Sequence, residues 1–352
     1  MAKRARSEDI EEIDRVGGFA HPRETFRLIG QDAALATASR AIRGGRAPQA
    51  WLITGPPGLG KATLAYRIAR YLLRYGATDQ GPTDLSVPPE DAVSRQIAAS
   101  SHPGLLVLKR GIHPDTGKMM KVLSVDVVRE LAPFFGMTAG GGGWRVAIVD
   151  TADDMNDAAA NALLKALEEP PLNAMLMLLS NAPGRLLPTI RSRCQRLDLR
   201  PLGDAELSAE LARLMPDANE PDRAAIAKLS GGSLGAALAL GGEEGLSLAR
   251  EAERAIDHAA NPDYAALMAI GDRLARVGDG VAKFGAFLSE ALAARIADRA
   301  PRGGGGDLRR WTQALEKVKA NFEAAAALNL EPRQTIVSSV RQISSAARRG
   351  AL

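Results

Sequence analysis

The sequence predicts an α/β domain with a parallel sheet, followed by a small helical domain and a larger all-helical one. Two observations carry that prediction. Short apolar runs alternate with helix-period segments through residue 200, the pattern of strands joined by crossover helices. Beyond Pro201 the strand-like runs stop and only helical periodicity remains. At 352 residues the chain is too long for one ordinary compact domain and fits two or three.

Taken in order, the first 20 residues carry mixed charge and read as a weakly ordered lead-in. An Ala-rich helix is expected from Gln31 to about Ile42, stopped by Gly44-Gly45. Ala50–Thr54 reads as a strand and meets a Gly/Pro-rich turn. Leu64, Ala65, Ile68, Ala69, Leu72 and Leu73 then recur at helical spacing, so a helix begins near Lys61. Residues 76–90 are polar and punctuated by Gly and Pro, hence a surface loop. Leu105–Leu108 and Met119–Leu123 read as two strands of a hairpin, turning through His113–Gly117. Ser124 or Asp126 is placed to cap a helix running through Leu131. After the four glycines Gly140–Gly143, Val146–Val149 reads as a buried parallel strand, Ala158–Glu168 as a helix and Met175–Leu179 as a further strand. Residues 203–258 read as short helices broken at Gly231-Gly232 and Gly241-Gly242. From Pro262 the helices lengthen, with interruptions at Pro301–Gly306 and Pro332. The expected division is a lead-in over 1–20, an α/β domain over 21–200, and helical domains over 201–258 and 259–352.

Composition narrows the function classes. With 46% hydrophobic and 24% charged residues the chain is an ordinary globular one, not disordered or fibrous. No run of 18 apolar residues occurs, so no membrane span is expected. The N-terminal segment lacks the apolar core of a secretory signal, so the expected location is cytoplasmic. The single cysteine, Cys194, excludes an internal disulfide and a cysteine-cluster zinc site. A net charge of +4 is too small for holding DNA by bulk electrostatics. Residues 1–200 carry 26 basic and 21 acidic groups, against 19 and 20 over 201–352, so contact with nucleic acid would be local. Aromatics are only 4%, which disfavours a stacking platform for single strands. His21, His102, His113 and His258 are scattered without ligand spacing. Cys194 reads as a small hydrophobe, not a nucleophile.

One motif carries chemistry. Gly55-Pro56-Pro57-Gly58-Leu59-Gly60-Lys61 is a GxxxxGK phosphate loop set between a strand and a helix. Its backbone N–H groups and Lys61 suit a phosphate at the helix N-terminus. The full motif continues with Ser or Thr, whose hydroxyl binds Mg²⁺; here the residue is Ala62, and Thr63 comes one step too late to share that site. A second element, Val146–Val149 ending in Asp150, has the form of a Walker B strand, although taken alone Asp150 reads more simply as a strand-end cap. Hydrolysing P-loop proteins place a Glu next, and Thr151 cannot replace it as a base near neutral pH. Both departures fall on metal binding and water activation while the loop glycines persist, which reads as a fold kept after turnover was given up.

Further along stand Asn161-Ala162-Leu163-Leu164-Lys165-Ala166-Leu167-Glu168-Glu169-Pro170-Pro171, Ser180-Asn181 and Thr189-Ile190-Arg191-Ser192-Arg193-Cys194. With Phe26–Gln31 ahead of the phosphate loop, these segments resemble the AAA+ clamp-loader family over most of residues 22–200. The resemblance implies a P-loop NTPase domain followed by a helical lid and a helical collar. It implies a degenerate nucleotide site built from Gly55, Gly58, Gly60, Lys61, Asp150 and the sensor 1 residue Asn181. Arg193 alone reads as one more surface arginine beside Arg185, Arg191, Arg196 and Arg200. The resemblance makes it an arginine finger reaching a neighbour's ATP in trans. Gly232–Leu238 resembles the family's sensor 2 segment, with Gly235 where active members have Arg. The family's four-cysteine zinc module has no counterpart in a chain with one cysteine.

What the resemblance implies is a largely non-hydrolysing component of a replicative clamp loader that does not itself polymerise DNA. The partners implied are gamma/tau-type motor subunits, the delta subunit, the sliding clamp and, through the assembled complex, primer–template DNA; no membrane is involved. No cofactor is required, ATP or ADP would bind at most weakly, and neither zinc nor another metal is held. The alternative is an active gamma/tau-type ATPase.

Overall fold

Five short strands form one sheet in the order β2-β3-β4-β1-β5. They are β1 (Ala50–Thr54), β2 (Leu105–Lys109), β3 (Arg145–Asp150), β4 (Ala174–Ser180) and β5 (Gln195–Asp198), and all four pairings are parallel. The computed structural model describes residues 19–111, 120, 122–136, 143–169, 171–242, 244–276, 280–299, 305–328 and 330–348. Most of the expected lead-in, the hairpin turn at His113–Gly117 and Gly140–Gly142 lie outside the described residues.

Both faces of the sheet are covered, which is why its central strands are apolar throughout. Alternate residues take opposite sides. Trp51, Ile53, Ile148 and Met177 pack with Ile42, Leu64, Ile68 and Leu72 of helices α1 (Asp32–Arg43) and α2 (Lys61–Tyr75). Leu52, Val149, Leu176 and Leu178 pack on the other side with Leu163 of α6 (Asp157–Glu168) and Ile190 of α7 (Pro188–Arg191). Between α2 and α6 lie α3 (Ala92–Ala98), α4 (Val125–Arg129) and α5 (Leu131–Gly136). Asp91 starts α3 by accepting from Val93 N at 2.8 Å, and Asn156 starts α6 by accepting from Ala159 N at 2.8 Å. The sheet register sets Thr54 beside Ser180 and Lys109 beside Asp150, so four strand ends meet at one edge.

Past β5 the chain is helical among the described residues: α8 (Asp204–Leu214), α9 (Glu220–Leu229), α10 (Leu234–Gly241), α11 (Gly245–Asp257), α12 (Tyr264–Leu274), α13 (Gly280–Arg299), α14 (Gly305–Leu328) and α15 (Pro332–Ala347). The chain divides into two compact units. Met1–Pro216 and Ser230–Ala239 make one, Asp217–Leu229 and Leu240–Leu352 the other. The core of the second unit is helix on helix. Phe284, Leu288 and Leu292 of α13 recur every four residues and meet Trp311, Val318, Ile336, Val340 and Ile343. Pro332 opens α15 at its first turn, where a missing N–H costs nothing, and Glu331 caps it by accepting from Gln334 N at 3.0 Å. Among the described residues no helix is long and apolar enough to cross a membrane.

The α/β plan with helical continuation agrees with the sequence reading, and several local elements differ. Among the described residues no hairpin ladder forms; Met119 and Lys121 of the expected second strand lie outside them. β2 pairs in parallel with β3, Leu123 makes only an isolated bridge with Met155, and the return of the chain is marked by Met120 N donating to Gly111 O at 2.8 Å. β2 forms the edge of the sheet, with Leu108 buried and its other residues half-buried. α3, α5, α7 and β5 form without having been expected.

Candidate functional site

The phosphate loop leaves β1 at Thr54 and enters α2 at Lys61. Gly55, Gly58 and Gly60 have φ of 145°, 76° and 90°, a region that side-chain-bearing residues rarely adopt, so all three expected glycines are dictated by backbone shape. Gly60 is the N-cap of α2 and offers no side-chain cap, which leaves the first N–H groups of the helix for another acceptor. Lys61, Ala62 and Thr63 border a cavity of about 310 Å³ shared with Gly58, Asp150 and Asn181. Thr63 also lines this space, while Ala62, the residue that follows Lys61, brings no oxygen to it.

Lys61 Nζ donates to the carbonyls of Gly55 and Pro56, each at 2.7 Å, folding back along its own loop. Burial lowers its pKa to about 8, against the opposing pull of Asp150 and Asp153. Asp150 closes β3 at the cavity wall. Asp153 lies in the 3₁₀ turn that follows. It accepts from Ser180 Oγ at 2.6 Å, Asn181 N at 2.5 Å and Ala182 N at 3.1 Å, so both its oxygens are engaged in holding the end of β4. Through these bonds it fixes the backbone that presents Asn181. Among the described residues no group of three or more His, Cys, Asp or Glu converges as a metal site.

A second wall comes from residues 230–239. Ser233 Oγ donates to Pro57 O at 2.9 Å and Gly235 N to Gly58 O at 2.9 Å. A β-carbon on Gly235 would lie 2.6 Å from Gly58 Cα, so no arginine fits there without moving one segment off the other. A third wall, Leu28 and Ile29, belongs to the segment ahead of α1. Arg70 donates to Arg23 O and Thr25 O, and Arg67 to Phe26 O, all at 2.9 Å. Arg70 also stands 4.4 Å from the centre of the Phe26 ring, and burial lowers its pKa to about 10.

Arg193 does not border this cavity. It sits in the turn between α7 and β5, its side chain 39% exposed, with Nη1 donating to Thr189 O at 3.1 Å and Nη2 to Glu168 Oε1 at 3.0 Å. Cys194 next to it packs against the sheet core, and burial pushes its thiol up to about 11, as suits a hydrophobe and not a nucleophile. So Gly58, Gly60, Lys61, Asp150 and Asn181 border one cavity, Gly55 adjoins it through its carbonyl on Lys61 Nζ, and Arg193 is set apart from them. The sequence reading missed Asp153, Ser233, Arg67 and Arg70. Only the arginines left a signal, being charges three residues apart on a helix otherwise packed with apolar side chains.

Residues 30–203 match the family described as DNA polymerase III, delta subunit. Over 193 residues the chain is 42% identical to the DNA polymerase III subunit delta' of Pseudomonas aeruginosa, covering 54% of this chain and 55% of that protein. Over these residues the chain is similar to DNA polymerase III delta' subunits. The delta' subunit of Escherichia coli is 38% identical over 200 residues, 57% of this chain and 56% of that protein. The chain thus spans about half the length of the curated relatives it matches. A gamma/tau subunit of Mycobacterium tuberculosis is 33% identical over 193 residues, 55% of this chain and 31% of that one. Among solved structures, a gamma subunit-related protein from Thermotoga maritima aligns with a TM-score of 0.50 and 17% identity over 89% of this chain and 99% of that one, a likeness of fold.

Proposed function

We propose that this chain is a delta-prime-type component of a cytoplasmic clamp loader. It stands in a subunit ring beside gamma/tau-type motor subunits and the delta subunit, and helps place the sliding clamp on primer–template DNA. Residues 201–258 would serve as its lid and 259–352 as its collar. The observation that carries this reading is the division of an ATPase site into two unjoined parts. One part is the loop cavity, which lacks an oxygen at Ala62 and a carboxylate at Thr151. The other is Arg193, exposed on the Ser-Arg-Cys turn away from that cavity.

The chemistry follows from what each part can do. Mg²⁺ needs several oxygen donors. Ala62 supplies no oxygen and both Asp153 oxygens are engaged, which leaves Asp150 as the remaining carboxylate on the wall, fewer donors than the full motif gives a catalytic ion. Thr151 cannot take a proton from water near neutral pH. The cavity therefore holds at most a weakly bound ATP or ADP, and the subunit needs no cofactor and no metal of its own. A guanidinium fork presented to a neighbour's γ-phosphate stabilises the charge that builds there during transfer, worth roughly 10³–10⁵ in rate in P-loop enzymes. Arg193→Ala should fold and assemble normally, since no core is disturbed, yet slow ATP hydrolysis by the reconstituted loader several-fold or more. Unchanged turnover would remove the finger role.

Thr63 on the cavity wall favours one second reading, an active gamma/tau-type ATPase. Turnover by the purified chain alone, abolished by Lys61→Ala, would establish it.

A further inference from the structure

We propose that Glu168 is a positioning residue for Arg193, an inference that rests on the finger role given to Arg193 above. Glu168 is the last residue of α6, and Arg193 lies two residues beyond α7; Leu163 and Ile190 bury these two helices in one apolar cluster. That shared core fixes the distance between the helix ends, so the carboxylate and the guanidinium meet without either backbone having to move. Thr189 O takes one hydrogen of Nη1 and Glu168 Oε1 one of Nη2. An arginine side chain has four free torsions, and two anchors on different elements remove most of that freedom. Five N–H donors less two leaves three for an incoming phosphate. The pair is half-exposed, with side chains at 39% and 51%, so solvent screens its Coulomb attraction. Its use is therefore orientation: Glu168 aims the fork before a neighbour's triphosphate arrives, and a weak pair yields easily if the fork must shift.

Such a residue should act on the transition state through Arg193 and through nothing else. The test is ATP hydrolysis by the loader reconstituted from this chain, gamma/tau-type and delta subunits, clamp and primed DNA. Wild type is compared with Glu168→Ala, Glu168→Gln, Arg193→Ala and the double alanine variant. Glu168→Ala should lower kcat about two- to fivefold, the range of an exposed pair, with KM little changed. Glu168→Gln, whose amide oxygen still accepts from Nη2, should retain most of the rate. On the Arg193→Ala background, Glu168→Ala should cost nothing more. The proposal is overturned if Glu168→Ala runs at or above the wild-type rate, or if it slows the Arg193→Ala loader further, since a merely structural role would persist there. Arg193→Ala without effect would instead remove the finger role itself, and Glu168 with it.

Discussion

The Gly235 amide donates to the Gly58 carbonyl at 2.9 Å, joining a segment near residue 235 to the middle of the phosphate loop through backbone alone. Neither partner has room for a side chain: a β-carbon on Gly58 would lie 2.4 Å from Ser233 Oγ, and one on Gly235 2.6 Å from Gly58 Cα. The loop and the segment are thus packed as one object.

Gly235→Ala should therefore destabilise the chain by about 1–3 kcal/mol, the usual cost of forcing an extra carbon into a filled contact. Thermal unfolding of the full chain reads it. Gly184→Ala, where a β-carbon would meet nothing within 4 Å, is the control and should leave the midpoint unchanged. Equal midpoints for the two variants would show that the contact can relax freely.

Lys61 gives stability a pH dependence of definite sign. Its pKa falls from an ordinary 10.5 to about 8 on folding, so between those values the unfolded chain binds more protons than the folded one. Stability from this group therefore rises with pH across about 8 to 10.5 and is flat below that window. In urea titrations at pH 7, 8.5 and 10, Lys61→Met should gain less stability with pH than wild type. An identical slope would contradict the burial of this ammonium.

Arg70 is 1% exposed and supplies donors to two backbone carbonyls. Arg70→Ala should cost about 2–4 kcal/mol in denaturant unfolding, because buried acceptors lose charged donors and packing is lost with them. Arg70→Lys should restore less than half, a single ammonium being unable to span both carbonyls as the fork does. A loss below about 1 kcal/mol for the alanine variant would count against this pinning.

Ala62→Ser puts a hydroxyl where the P-loop motif normally has one. ATP binding measured by calorimetry should tighten about five- to tenfold in Mg²⁺ and not in EDTA, the scale of one added ligand. The same gain in EDTA would mean that the hydroxyl touches phosphate and not metal.

Much of this was legible beforehand. The apolar runs of β1, β3 and β4 are buried on both faces, and such runs announce themselves without alternation. The glycines of the loop were legible because only glycine adopts the φ values found there. β5 was missed although Arg196, Leu197, Asp198 and Leu199 alternate out and in; four residues at a sheet edge give too short a pattern to separate from a turn. The pairing of β2 with β3 was not legible because an apolar run does not say which strand it will pair with. Asp153 and Ser233 escaped for a different reason. Each acts through a fold contact, 27 residues away to Ser180 and 176 to Pro57, and no local spacing encodes that.

The sulfhydryl beside Arg193 has a practical consequence. It is the only one in the chain, and with its ionisation pushed to about 11 from an ordinary 9.0 it carries about a hundredfold less of the reactive anion at neutral pH. A fluorophore maleimide would therefore attach selectively to a cysteine engineered on the surface, with the native one left in place. The turn bearing the guanidinium can thus be watched spectroscopically during assembly without first being rebuilt.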